Sequence, residues 1–110
     1  AKCLKQKAQL PRLRNVATMQ VYIWDAKKRL SNIRKHGVDF SVAAEVFSGI
    51  TLTAEDRRYP YGEQRFLSLG IAKGVVVSIA HTESQGQIRI ISIRKATRYE
   101  THCFFAQIAE

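Results

Sequence analysis

Between residues 50 and 95 the chain alternates strand-length apolar runs with short turn sequences, and this pattern limits the fold more than any other feature. The runs are ITLTAE (50–55), EQRFLSLGI (63–71), GVVVSIAHT (74–82) and QIRIISIRK (87–95). Short runs rich in β-branched and aromatic residues predict strands. The connections are DRRYPYG, AKG and ESQGQ, and the last two have hairpin length. Ahead of them QVYIW predicts a further strand. Asp25 is the expected cap of a helix over 25–36, where Ala26, Leu30 and Ile33 recur at helical spacing and Gly37 ends the run. Ser41 is expected to cap a second helix with Val42, Ala43, Val46 and Phe47 inward, ending at Gly49. Thr97 is expected to cap a closing helix through RYETHCFFAQIAE. The order β-α-α-β-β-β-β-α predicts an α+β fold, a mainly antiparallel sheet with helices packed on one face.

A chain of 110 residues supports one domain with a modest core. No apolar run approaches the roughly 18–20 residues that cross a bilayer, so no membrane role is expected. The formal charge of +9 is uneven. Residues 1–18 carry Lys2, Lys5, Lys7, Arg12 and Arg14 with no acid, and the rest of the chain carries only +4. These first residues lack clean periodicity, contain Pro11 and precede the only methionine, Met19. They are expected to form a basic leader, flexible or foreign to the native protein, ahead of a domain over 19–110; a transit peptide is the other reading of such a leader. Clustered arginines on a small basic domain favour a polyanionic partner, most simply nucleic acid, over a basic surface kept for solubility. Two cysteines at opposite ends, Cys3 and Cys103, predict neither a disulfide framework nor a zinc site, and a reducing cytoplasm is the expected compartment. Cys103 is expected as a small buried hydrophobe.

The helix over 25–36 holds Lys27, Lys28, Arg29, Arg34, Lys35 and His36, more base than a packing helix needs. In QIRIISIRK a regular strand would point Arg89 and Arg94 to opposite faces. One extra residue at Ile90–Ile91, a β-bulge, puts Arg89, Ser92 and Arg94 on one face and the isoleucines on the other. Two guanidiniums there are either a phosphate clamp or solvated edge charges. Glu63 and Arg65 are either a general base with its electrostatic partner or a surface ion pair. His81 and His36 add groups that exchange protons near neutrality. No metal site is expected, since the carboxylates are scattered and HExxH and paired-acid spacings are absent. No glycine-rich phosphate loop appears either. A metal-free, arginine-rich site suits RNA cleavage through the 2′-hydroxyl, an internal nucleophile that DNA lacks.

WDAKKRLSNIRKHGVDF, followed by VF, GEQRF, HTE, RIISIRKAT and Glu100, resembles the BrnT toxins of bacterial type II toxin–antitoxin systems, over about residues 20–104. The resemblance implies a ribonuclease with a fold similar to RelE-type toxins. It also implies neutralisation by a BrnA-like antitoxin carrying a ribbon-helix-helix DNA-binding domain, in a complex that represses its own promoter. The matching positions are Trp24, Asp25, Lys28, Asn32, Lys35, His36, Gly37, Glu63, Arg65, His81, Glu83, Arg89, Ser92 and Arg94. The family usually has an aromatic residue, often tyrosine, a few positions beyond the acid at Glu100; here Phe104 stands there, without the hydroxyl.

On this basis the expected roles are as follows. Arg65, Arg89 and Arg94 stabilise the phosphorane, Glu63 or His81 is the base, and His36 is the acid. Lys28, Lys35 and Ser92 hold RNA, with the basic helix facing the arginine strand across a shallow groove. Trp24 and Gly37 are assigned to packing and helix termination. The competing expectation is a non-catalytic basic module that binds antitoxin or nucleic acid and aids repression; a metal-dependent nuclease is a third.

Overall fold

The computed structural model describes residues 11–15 and 20–109. Its elements in chain order are β1 (Arg12–Asn15), β2 (Val21–Ile23), α1 (Ala26–His36), a 3-10 turn (Phe40–Val42), α2 (Ala43–Ser48), β3 (Ile50–Asp56), β4 (Arg65–Ala72), β5 (Val75–Ser84), β6 (Gln87–Lys95) and α3 (Arg98–Ala109). From β2 onward this is the expected order. The strand in front is new: β1 pairs antiparallel with β3, so residues 12–15, read as leader, have a place on the sheet edge. Residues 1–10 and 16–18 of that leader lie outside the described residues.

The six strands form one sheet in the order β1-β3-β4-β5-β6-β2. Both hairpins close on two residues with positive φ, Lys73–Gly74 (51° and 78°) and Gln85–Gly86 (40° and 82°). That backbone twist matches the twist of the flanking strands, and glycine at the second position meets it without steric cost. At the far edge β2 runs parallel to β6. The register between β5 and β6 slips by one residue, Ala80 facing Ser92 and His81 facing Ile90. Ile91 is therefore the extra residue of a bulge, where the broken alternation placed it. Ile90 is buried as expected, whereas Ile91 stays partly exposed.

α1 starts and stops as read. The Asp25 carboxylate accepts from the Lys27 and Lys28 amides (2.8 and 3.0 Å), and the Gly37 amide donates to the Ile33 carbonyl (2.8 Å). These bonds satisfy helix-end groups that have no partner within the helix. Asn32 docks the helix. Its side-chain amide donates to the Ile93 carbonyl (2.8 Å), and its carbonyl accepts from the Ile93 amide (3.0 Å). One side chain thus pairs with β6 as a neighbouring strand would, just beyond the end of β2 at Ile23↔Arg89. The second helix differs from expectation at its start: Asp39 caps the 3-10 turn ahead of it, accepting from the Ser41 amide (3.2 Å), and α2 itself, with Val42 at its N-cap, has no side-chain cap.

α1, the 3-10 turn and α2 cover one face of the sheet, called here the inner face. Phe40, Ala43, Val46 and Phe47 pack there on Val77, Ile79, Ile88, Ile90 and Ile93. α2 approaches β4 so closely that a Cβ on Gly70 would lie 2.6 Å from Val46 Cγ1. The third helix departs from a one-face arrangement. α3 crosses to the outer face, where Phe104 packs on Leu52, Leu69 and Val76. Strand alternation makes both faces apolar at that end, so both need a cover. Thr97 caps α3 reciprocally with Glu100, bonds of 3.1 and 2.9 Å. Cys103 is fully buried, as expected, but its sulfur is disulfide-bonded, where the sequence predicted no disulfide framework. Sequence distance between cysteines carries no information on their distance in space. Cys3 lies outside the described residues.

Candidate functional site

Cross-strand pairing orders the outer face into rows. Asp56 pairs with Arg65, and Thr82 with Arg89, in the row farthest from α3. The next row runs Ala54, Leu67, Ala80 and Ser92. The third runs Leu52, Leu69, Ser78 and Arg94, where α3 begins to cover the sheet. This middle row, small at Ala54, Ala80 and Ser92 and larger at Leu67, separates Arg65 and Arg89 on one bank from Arg94 on the other, and is called here the trough. The bulge at Ile91 is what keeps Arg89 and Arg94 on this one face.

Every arginine of this face is bonded to a carboxylate. Glu63, just before β4, bridges two of them. Its Oε2 accepts from Arg65 Nε (3.0 Å) and its Oε1 from Arg89 Nη2 (2.6 Å). Arg65, and then Arg89, hold the Glu63 carboxyl below the usual carboxylate range. Arg94 forks onto Glu100 with two bonds of 2.8 Å. Glu100 is likewise depressed by Arg94 first, against the opposing effect of burial. Asp56 takes two side-chain bonds from Arg58 and one from the Tyr61 hydroxyl (2.7 Å). Burial is the largest single influence on Asp56 and opposes its charge, yet the Arg58 and Tyr61 bonds together hold it at about 2. The Arg65 guanidinium lies 4.2 Å from the centre of the Tyr61 ring, a cation–π contact.

A second cluster sits along β6 beyond the end of β2. Lys28, Ser31, Asn32, Lys35 and His36 of α1 line a pocket of about 210 Å³ with Ile91 and Ser92. The bulge bends Ser92 so that it borders both this pocket and the trough. Among the described residues, neither Lys28 nor Lys35 is within salt-bridge distance of a carboxylate. The basic helix thus meets the arginine strand at its edge, with Ser92 as the shared residue, rather than across an open groove.

His81 joins neither cluster. It is fully buried on the inner face, between Phe47 and Phe66. Its Nε2 bonds the Ser68 hydroxyl (2.8 Å), which continues through Thr53 to Thr51. Among the described residues its Nδ1 has no hydrogen-bond partner; it lies 3.6 Å from Glu83, whose carboxylate is taken by Arg14 (2.9 and 3.2 Å). Burial, then the charge of Arg14, lowers its pKa to about 3, so the ring is neutral near pH 7. The expectation of His81 as a base is corrected on this ground: regular alternation along β5 carries it away from Thr82 and the arginines.

Asp56, Arg58 and Tyr61 belong to the outer face and were not singled out from sequence. The signal for them was the run DRRYPYG itself, two arginines and two tyrosines in a single connection. Phe104 is buried within the core, so its ring packs and presents no edge to the trough. Among the described residues no group of three or more His, Cys, Asp or Glu side chains is placed to hold a metal ion. No described helix is long and apolar enough to cross a membrane.

A search among curated proteins finds no match. A family model for the ribonuclease toxin BrnT of type II toxin–antitoxin systems matches residues 24–100, from the Trp24 that precedes α1 to the Glu100 that holds Arg94. That span contains the trough, the lysine pocket and the bulge that joins them, and covers most of the chain. The chain belongs to the BrnT family of ribonuclease toxins of type II toxin–antitoxin systems.

Proposed function

We propose that this toxin cuts RNA without a metal ion, by attack of a 2′-hydroxyl on the neighbouring phosphorus. The observation that carries the reading is the bridge made by Glu63 between Arg65 and Arg89. An oxyanion already sits between two guanidiniums, in the relation a phosphodiester needs. In this mechanism the phosphate takes the donors of Arg65 and Arg89, with Arg94 on the opposite bank, and these cations stabilise the charge growing in the phosphorane. Glu63, ionised and partly exposed, accepts the 2′ proton. The bond to the 5′-oxygen breaks as that oxygen takes a proton, for which His36 at the lysine pocket is the candidate donor. The products are a 2′,3′-cyclic phosphate and a 5′-hydroxyl. Lys28 and Lys35, which form no salt bridge among the described residues, hold flanking phosphates beside Ser92. Each outer-face carboxylate being bonded to an arginine supports a role for arginine, not a metal, as the counter-charge.

Type II membership implies an antitoxin partner. In this reading it is a BrnA-like ribbon-helix-helix protein, forming a hetero-oligomer with the toxin in the bacterial cytoplasm. The ion pairs that fill the trough favour one other reading, a basic module that binds RNA or antitoxin and does not cut. The test is labelled RNA incubated in EDTA with the wild type and with the Arg89→Ala/Arg94→Ala double variant. Cutting by wild type alone, with cyclic phosphate ends, is the expected result. Cutting that EDTA stops would overturn metal independence, and binding without cutting by folded protein would establish the second reading.

A further inference from the structure

The loop between β3 and β4 carries features that phosphate binding does not use. Tyr59 is 64% exposed, the most exposed of the large apolar or aromatic side chains described. Its ring meets Tyr61 edge-on at 5.8 Å between centres, and Arg58 lies 5.9 Å from its own centre. Tyr61 in turn lies under Arg65. The open Tyr59 ring is thus two contacts from the guanidinium that shares Glu63 with Arg89.

The loop is also held rigid. The Tyr61 amide donates to the Tyr59 carbonyl (3.0 Å) around Pro60, a three-residue turn that suits the fixed φ of proline. Asp56, only 5% exposed, ties the loop from beneath through the Arg58 backbone amide, the Arg58 guanidinium and the Tyr61 hydroxyl. A solvated loop tyrosine needs no such anchoring. A rigid aromatic surface beside a row of arginines is the pairing with which proteins hold single-stranded nucleic acid, bases on the ring and backbone on the cations. Fixing the turn beforehand lowers the entropy lost when a base settles on it.

We propose that Tyr59, supported by Tyr61, is a base-stacking subsite that receives a nucleobase of single-stranded RNA next to the phosphate held by Arg65 and Arg89. The inference rests on the RNA-cleaving reading above. A stacking surface accepts any base by its π-face, so the subsite selects unpaired strands over duplex without reading a sequence. Duplex RNA keeps its bases stacked on one another and offers none to the ring.

The test uses two labelled single-stranded oligonucleotides made non-cleavable by 2′-O-methylation, one with bases and one abasic throughout, with binding read by fluorescence anisotropy. Wild type is expected to bind the base-bearing strand more tightly. Tyr59→Ala is expected to weaken that strand by about 5- to 150-fold, the range of a lost base–aromatic stack, and to leave the abasic strand unchanged. Tyr59→Trp should restore the preference. Arg89→Ala should weaken both strands alike. A Tyr59→Ala protein that keeps the wild-type preference overturns the stacking subsite while leaving RNA cleavage standing. Wild type that binds neither strand overturns the RNA reading and the subsite with it.

Discussion

The two faces of the β5–β6 ladder hold ionisable side chains of similar standing in sequence and opposite standing in the fold. On the inner face His81 lies between Phe47 and Phe66, fully buried, with one nitrogen bonded to Ser68 and the other 3.6 Å from the Glu83 carboxylate. On the outer face Arg65, Arg89 and Arg94 stand partly exposed, each on a carboxylate. His81 and Thr82, the cross-strand partner of Arg89, are consecutive residues. All the same, a buried imidazole is neutral because a charge there would lose its water, whereas an exposed guanidinium keeps its charge and can exchange one oxyanion for another. Matching a family motif places a residue in the family; the direction of its side chain decides whether it can touch a substrate.

This contrast can be broken most directly at Arg89. Arg89→Ala is expected to lower RNA cleavage by about 100- to 1000-fold, the usual loss for one preorganised donor to a developing oxyanion, with little change in Tm. A Tm loss with intact cleavage would move Arg89 from the inner workings of the site to the structure.

His81 should show the reverse. His81→Ala is expected to cost about 2–4 kcal/mol of stability, through a cavity and a severed polar chain, with cleavage per folded molecule retained. Denaturant unfolding beside single-turnover cleavage separates the two effects. Its pH signature follows from a folded pKa of about 3 against 6.5 for the free side chain. The unfolded chain takes the proton first, so stability is full above about pH 6.5 and falls as the pH drops toward 3. Asp56, held at about 2, contributes stability that is lost as the pH falls from the ordinary carboxylate value of 3.8 toward 2, so the window from about pH 6.5 to 4.5 lies above its loss and reports His81. His81→Gln should flatten that window. An unchanged slope would mean the ring is charged or wet in the folded protein.

The smallest expected effect is at the edge pocket. Lys28→Ala or Lys35→Ala should weaken RNA binding several-fold and reduce the salt slope by about one each, since each cation without a carboxylate releases one counterion on meeting a phosphate. Salt titration of the single variants against wild type checks this. An unchanged slope in both would confine the RNA to the arginine trough.

How far the sequence could be read depended on the range of the forces involved. The bulge at Ile91 was legible because only an extra residue reconciles QIRIISIRK with one apolar face. The α1 caps were legible because Asp25 and Gly37 act within one turn. The edge strand β1 was hidden in a basic segment, since four residues pair there only because β3 offers an open edge. Asn32 showed nothing in sequence of its bonds to Ile93, 61 positions away. The crossing of α3 to the outer face also lay beyond local patterning, because its low helical amphipathicity does not say which sheet face it covers.

By itself the sequence determined the strand and helix order, the hairpin turns and the sidedness of β6, all consequences of periodicity and backbone preference over a few residues. Only the tertiary structure decided that His81 is a buried core residue, that Glu63 joins Arg65 to Arg89, and that Lys28 and Lys35 meet Ser92 at the edge of the sheet. Those outcomes depend on which distant surfaces bury one another, and burial sets whether a titratable side chain is a charge at a site or a neutral part of the core.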